Sequence, residues 1–212
     1  MKIVPLKSNS FSRKIRKISN IKLIIIHYTG MQSMRVAINR LISHRSKVSC
    51  HYLISREGKI FQIVDDNRVA WHAGKSKWGK FVNLNKNSIG IELVNKGHKF
   101  GYQKFSNKQI KSLVKLCEKL KKKYKISNRF VLGHSDIAPL RKSDPGEKFP
   151  WVTLNRKRLG IWHSTSKRNN LYGKSKKKVI EKIFFKNLYK IGYRYFNKNK
   201  PSKKDKFIVK SF

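Results

Sequence analysis

Apolar residues along this chain fall into a few blocks whose spacing names the elements. Ile21 to Tyr28 is a short continuous run rich in isoleucine, the pattern of a central strand covered on both faces. Ser33 to His44 places Met34, Ala37, Ile38, Leu41 and Ile42 at helical spacing, which predicts an amphipathic helix. Val48 to Ser55 and Lys59 to Val64 flank Arg56-Glu57-Gly58 and read as a hairpin. Arg68 to Trp71 adds a short strand, Gly74 to Asn87 a loop, and Ser88 to Val94 a further strand. The clearest helix runs from Asn107 to Tyr124. Its apolar stripe is Ile110, Leu113, Val114, Cys117, Leu120 and Tyr124, while Lys111, Lys115, Lys119 and Lys122 face water. Ser106 and Gln109 form a capping-box pattern at its start. Arg129 to Leu132 is a last short strand leading into Gly133-His134. Strands and helices alternate with one hairpin and no internal repeat, so the expected fold is α/β (α+β by some schemes), a central mixed sheet flanked by helices.

The two ends have a different texture. Residues 1–20 are polar and basic and read as an irregular N-terminal arm. Followed by Ile21 to Ile26 they loosely mimic a secretion signal. The apolar part is too short, contains Lys22 and precedes no small-residue cleavage site. Residues 152–212 carry 19 Lys and Arg against two acids. Val179, Ile183, Phe184, Leu188 and Ile191 predict a helix within Val179 to Tyr195, and Asn197 to Lys206 a loop. The expected organisation is an arm over 1–20, a catalytic domain over 21–160, and a basic, helical C-terminal extension over 161–212.

With 212 residues, 39% hydrophobic, twelve Phe and eight Tyr, the chain can bury a real core. The formal charge of +42 is extreme. Lysine outnumbers arginine about three to one beside abundant Asn, Ile and Ser, as compositional drift produces, but the sign favours anionic substrates and salt-sensitive binding. No signature of DNA or RNA recognition accompanies it, so no specific nucleic-acid partner is expected. No apolar run approaches ~20 residues, so no transmembrane segment is expected. Cys50 and Cys117 lie in no CxxC pattern, which excludes a cysteine-rich zinc site and argues against a disulfide framework.

Candidate chemistry concentrates in Gly133 to Trp151, GHSDIAPLRKSDPGEKFPW. A catalytic zinc takes three protein ligands and keeps one position for water. His27 ends an apolar strand, His134 follows another, and Asp144 sits in Ser-Asp-Pro-Gly, where proline restrains the backbone. A lone strand-end histidine is more often only hydrogen-bonded, and Asp-Pro-Gly alone is most often a turn. The three together point to one Zn2+ site, with Asp136 better placed to brace the loop.

Five segments carry a family resemblance: IIIHYTG (24–30), SCHYLISREGKIFQ (49–62), AWHAGKSKWG (70–79), LNKNSIGIELVNKGH (84–98) and VLGHSDIAPLRKSDPGEKFPW (131–151). In this order they resemble the zinc-dependent N-acetylmuramoyl-L-alanine amidases of the AmpD/AmiD type, which share a fold with peptidoglycan recognition proteins. The resemblance implies hydrolysis of the amide between N-acetylmuramic acid and L-alanine in peptidoglycan or its muropeptide fragments. It makes His27, His134 and Asp144 the zinc ligands, Glu92 the general base, and Lys142 the oxyanion cation with Arg141 beside it as a second candidate. Cys50 stands where phage relatives place a tyrosine, so that assisting role passes to Glu92. His51, Trp71, His72, Ala73, Gly74, Trp78 and Asn95 are implied as substrate-binding, Trp78 by stacking. His44, His98 and His163 are left as surface or structural residues. The tail resembles the helical extension of AmiD-like relatives, which implies a wall-binding segment. The lack of a secretion signal points to a cytoplasmic recycling enzyme, whereas the basic tail points to the wall and a periplasmic or cell-envelope location; a monomer is expected. The alternative is a peptidoglycan-binding module without catalysis, which the full set of ligands disfavours.

Overall fold

The apolar blocks assemble into a six-stranded mixed sheet. The computed structural model describes residues 1–162, 174–199, 202 and 205–211, so His163 lies outside the described residues. Its strands are β1 (Ile3–Pro5), β2 (Phe11–Ile15), β3 (Leu23–Tyr28), β4 (Tyr52–Ile54), β5 (Ile60–Gln62), β6 (Arg68–Ala70), β7 (Lys77–Trp78), β8 (Phe81–Val82), β9 (Ser88–Leu93) and β10 (Val131–Gly133). The helices are α1 (Met34–Ile42), α2 (Asn107–Tyr124), α3 (His134–Ile137), α4 (Trp151–Arg156), α5 (Lys174–Ile191) and α6 (Lys206–Ser211). The main sheet runs β1-β5-β4-β9-β3-β10. Only the β4–β5 hairpin is antiparallel within it. The mixed sheet with flanking helices is the expected class.

Side chains alternate across a strand, and the β3–β9 register sorts them onto two faces. Ile24, Ile26, Ile89, Ile91 and Leu93 share one face with Tyr52 and Ile54, and α2 closes it with Ile110, Leu113, Leu116, Cys117 and Leu120. The opposite face carries Leu23, Ile25 and His27 from β3 and Ser88, Gly90 and Glu92 from β9. Near β4, Leu41 of α1 packs with Cys50 and Leu53. Near β10, Phe185 and Leu188 of α5, with Tyr193 and Ile208, pack on Leu23, Ile25, Trp78 and Leu132.

Four expectations change here. The N-terminal segment is not irregular: β1 pairs with β5 at the sheet edge, and β2 pairs with β6. Its Arg16 is buried, donating from Nε to the Asp66 carbonyl at 2.9 Å and from Nη1 to the Ser88 carbonyl at 2.7 Å. The capping box at α2 is half made. Ser106 Oγ accepts from Gln109 N–H at 3.1 Å, but the Gln109 amide turns inward and donates to the Ile54 and Val94 carbonyls. The loop after Gly74 holds the β7–β8 ribbon. The C-terminal extension, read as an appended module, covers part of the sheet. Val179 and Ile183 of its helix are exposed, while Phe185 and Leu188 are buried. Both cysteines are buried and free. Among the described residues no helix is long and apolar enough to cross a membrane.

Candidate metal centre

His27 is the second-last residue of β3, and the parallel neighbour β10 delivers His134 directly after its own end. The turn following α3 brings Asp144 back over them; the Asp144–Pro145 peptide is cis. All three side chains are buried. His27 Nδ1 lies 3.0 Å from His134 Nδ1 and 3.0 Å from Asp144 Oδ2, and His134 Nδ1 lies 3.1 Å from Asp144 Oδ2. Metal bonds of about 2.0–2.2 Å set tetrahedral ligand atoms roughly 3.3 Å apart. Two imidazole nitrogens and one carboxylate oxygen in so tight a triangle could hold a cation. Among the described residues this is the one cluster of three or more His, Cys, Asp or Glu side chains so arranged.

The electrostatics agree. Burial, reinforced by His134, lowers His27 to a pKa of about 4, so its ring is neutral and one nitrogen is bare to serve as a metal ligand. Burial pushes Asp144 upward, but His134 and His27 outweigh it and hold the carboxylate well below its usual range. Glu92 faces His27 from the adjacent strand. Burial, with Asp144 as a further contributor, raises it to about 8, and its Oε2 is buried with no hydrogen-bond partner among the described residues. Lys142 is exposed on the rim, close enough to act electrostatically on both His27 and Glu92.

The triangle and Glu92 line a cleft of about 770 Å³. Arg40, Lys99, Arg141 and Lys142 give its wall a positive charge. Arg40 and Lys99 escaped the sequence reading, because nothing distinguishes two cations among 52.

The family model for N-acetylmuramoyl-L-alanine amidases (Amidase_2) matches residues 17–147. The chain belongs to this amidase family. AmiD of Escherichia coli K12 is 35% identical over 161 residues, which span 70% of this chain and 57% of that relative. AmpD of Haemophilus influenzae is 41% identical over 109 residues, 51% of this chain and 57% of the relative. The chain thus spans well under two thirds of these curated relatives. The structure of E. coli AmiD in complex with the substrate anhydro-N-acetylmuramic acid-L-Ala-D-gamma-Glu-L-Lys superposes with a TM-score of 0.73 at 29% identity, covering 93% of this chain and 80% of that one. AmpDH3 of Pseudomonas aeruginosa gives 0.70 at 29% identity, covering 88% and 79%.

Within this fold, the residues expected to bind substrate separate. Trp71 and Gly74 line a second depression that shares His134, Arg141 and Lys142 with the cleft. His72 lines both the cleft and this depression; the other residues are placed differently. His51 is fully buried, its Nδ1 accepting from Gly90 N–H at 3.0 Å and its Nε2 facing Arg16 and the Arg68 carbonyl. Asn95 is buried and spends its side chain on the backbone of Gly97 and Gln103. Trp78 lies under Tyr193, ring centroids 4.8 Å apart, where a substrate cannot stack on it. Ala73 is buried and acts through its carbonyl, which takes His134 Nε2–H at 3.2 Å and an Arg141 N–H. Arg141 also donates to the Lys75 carbonyl, so it pins the 73–75 backbone. His72 lies behind His27, its Nδ1 3.0 Å from His27 Nε2.

Proposed function

We propose that this chain hydrolyses the amide joining the lactyl group of N-acetylmuramic acid to L-alanine, with Zn2+ held by His27, His134 and Asp144. The observation that carries the reading is the 3.0–3.1 Å triangle of donor atoms on the cleft floor, with buried Glu92 facing it from the next strand. Bound there, zinc supplies a Lewis acid for the scissile carbonyl and a water acidified toward neutral pH. Glu92 takes the proton of that water on its unpartnered Oε2 and returns a proton to the departing amine. Burial raises this carboxyl to about 8, and a cation bound at the triangle would lower it toward the range in which it can both accept and return a proton. Lys142 places its ammonium on the rim, where it stabilises the oxyanion of the tetrahedral intermediate.

The substrate seen in E. coli AmiD carries a peptide with free carboxylates, and the cations Arg40, Lys99 and Arg141 give this cleft the matching sign. Stem-peptide muropeptides are therefore its substrate class. Turnover of soluble anhydro-muropeptides in preference to intact sacculi would fit a cytoplasmic recycling role.

The test combines metal analysis with mass spectrometry of digested muropeptides. One zinc per chain and release of free stem peptide are expected. Glu92→Ala should keep the zinc and lose about 10²–10⁴-fold in turnover, whereas Asp144→Ala should lose both. A zinc-loaded chain that releases no stem peptide would leave only a peptidoglycan-binding module, and full zinc occupancy in Asp144→Ala would refute the ligand set.

A further inference from the structure

Behind His27 runs a buried chain of hydrogen bonds that ends on a backbone carbonyl. His27 Nε2 meets His72 Nδ1 at 3.0 Å, His72 Nε2 meets Ser88 Oγ at 3.2 Å, and Ser88 Oγ donates to the Leu84 carbonyl at 2.7 Å. A carbonyl only accepts, so the single Ser88 proton is committed to Leu84. Ser88 Oγ then has only lone pairs for His72, and His72 Nε2 must carry the hydrogen. A neutral imidazole has one N–H, so His72 Nδ1 is bare and has to receive a hydrogen from His27 Nε2. His27 Nδ1 is left bare, and that is the nitrogen turned toward His134 and Asp144. The direction of every bond follows from the carbonyl at the far end.

The fold makes room for this chain. Ser88, Gly90 and Glu92 are alternate residues of β9 on the His27 face. The His72 ring lies over Gly90 so closely that a Cβ there would come within 2.4 Å of His72 Cγ. Asn85 Oδ1 accepts from the backbone N–H of His72 at 3.1 Å and of Ala73 at 2.6 Å, which fixes the segment carrying the ring. His134, by contrast, reaches a carbonyl directly, that of Ala73. A metal-bound histidine commonly anchors its outer N–H on a carboxylate, carbonyl or water. At His27 a second imidazole and a serine stand in between.

We propose that His72 and Ser88 are positioning residues that preset the tautomer of His27, so that its Nδ1 is presented bare to the metal. The proposal rests on the metal reading above, but its first test does not. In metal-free, ¹⁵N-labelled wild-type protein at pH 8, ring-nitrogen NMR should show His27 and His72 both as Nε2–H tautomers. A His72 ring carrying its hydrogen on Nδ1 would overturn the proposal, whatever the variants do. The second test is zinc affinity by competition with a chromophoric chelator. Ser88→Ala should bind zinc about 10–100-fold more weakly, the size typical of lost outer partners of a metal ligand, with His72 no longer held in one tautomer. Ser88→Thr, which keeps the hydroxyl, should recover most of the affinity. A Ser88→Ala affinity within twofold of wild type would also overturn it. If wild type bound no zinc at all, the metal reading would fail separately, and the tautomer measurement would show whether the chain of bonds exists.

Discussion

The two faces of the central sheet are covered by different means. One is closed chiefly by α2, an 18-residue helix whose apolar stripe meets Ile24, Ile26, Ile89 and Ile91, with Phe149, Leu154 and Leu159 packed beside it. The other is divided. α1 covers the β4 side, α5 with Tyr193 and Ile208 covers the β10 side, and between them the sheet stays open at His27 and Glu92. The uniform face is a core and nothing else. The divided face must bury apolar residues at both flanks while leaving a cleft in the middle, so its cover comes from segments remote in sequence. On this view the C-terminal segment is part of the fold's second layer, and its removal is the strongest way to break the comparison. Four of its side chains, Phe185, Leu188, Tyr193 and Ile208, are at most 4% exposed. At about 1.5–3 kcal/mol each, their burial contributes roughly 6–12 kcal/mol, comparable with the whole stability of an ordinary domain. A chain ending at Gly160 is therefore expected not to fold cooperatively. A sharp thermal transition near the full-length Tm, followed by circular dichroism, would show that the extension is a mere appendage.

What was legible in the sequence follows the same division. β3, β9 and α2 were readable because each carries its own period: an apolar run, an alternation of Ile with Ser, Gly and Glu, and a stripe at helical spacing. The residues of the candidate metal triangle stood out because two histidines ended apolar strands and the aspartate sat in a Ser-Asp-Pro-Gly turn. The divided face was not readable, since its contacts are non-local. α5 shows apolar residues on several sides, and nothing in its own window says that Phe185 and Leu188 face the sheet while Val179 and Ile183 face out. Trp78 looked like a stacking platform because its cover, Tyr193, lies more than a hundred residues away. There Gly192 approaches so closely that a Cβ would come within 2.3 Å of the indole. His51 and Asn95 carried polar groups in a motif, and their burial against backbone carbonyls and amides depends on the packed fold. β1 and β2 are short and pair with distant partners, so basic composition concealed them.

A paired substitution sharpens the comparison. Leu113 on α2 and Leu188 on α5 are 0% and 1% exposed. Truncating either to alanine removes the same atoms from a closed site and should cost about 2–5 kcal/mol. Equal losses in denaturant titrations would show that both covers are integral. A cost near zero for Leu188→Ala beside a full cost for Leu113→Ala would return α5 to the status of a loosely attached helix.

The smallest expected effect sits where the C-terminal cover touches the loop bearing His134. Asp136 Oδ2 accepts from Gly133 N–H at 2.7 Å, and its Oδ1 accepts from Tyr193 O–H at 2.5 Å. Burial raises Asp136 to about 6, while Tyr193 and Gly133 oppose the rise by bonding the charged form. Because the folded pKa lies above the ordinary 3.8, the stability this group contributes is complete below about pH 4 and is lost as pH climbs through 6. Tyr193→Phe removes one of the two bonds that limit that loss, so it raises the folded pKa further. Its cost should be about 1.5–3 kcal/mol at pH 8, the worth of a hydrogen bond to a charged group. It should shrink as pH falls below 6 and the carboxyl becomes neutral. Chemical denaturation of metal-free wild type and variant at pH 5 and pH 8 reads this directly. A cost that is the same at both pH values would mean that the hydroxyl is not bonded to the carboxylate in solution. The C-terminal segment would then cover the sheet without bracing the loop that holds His134.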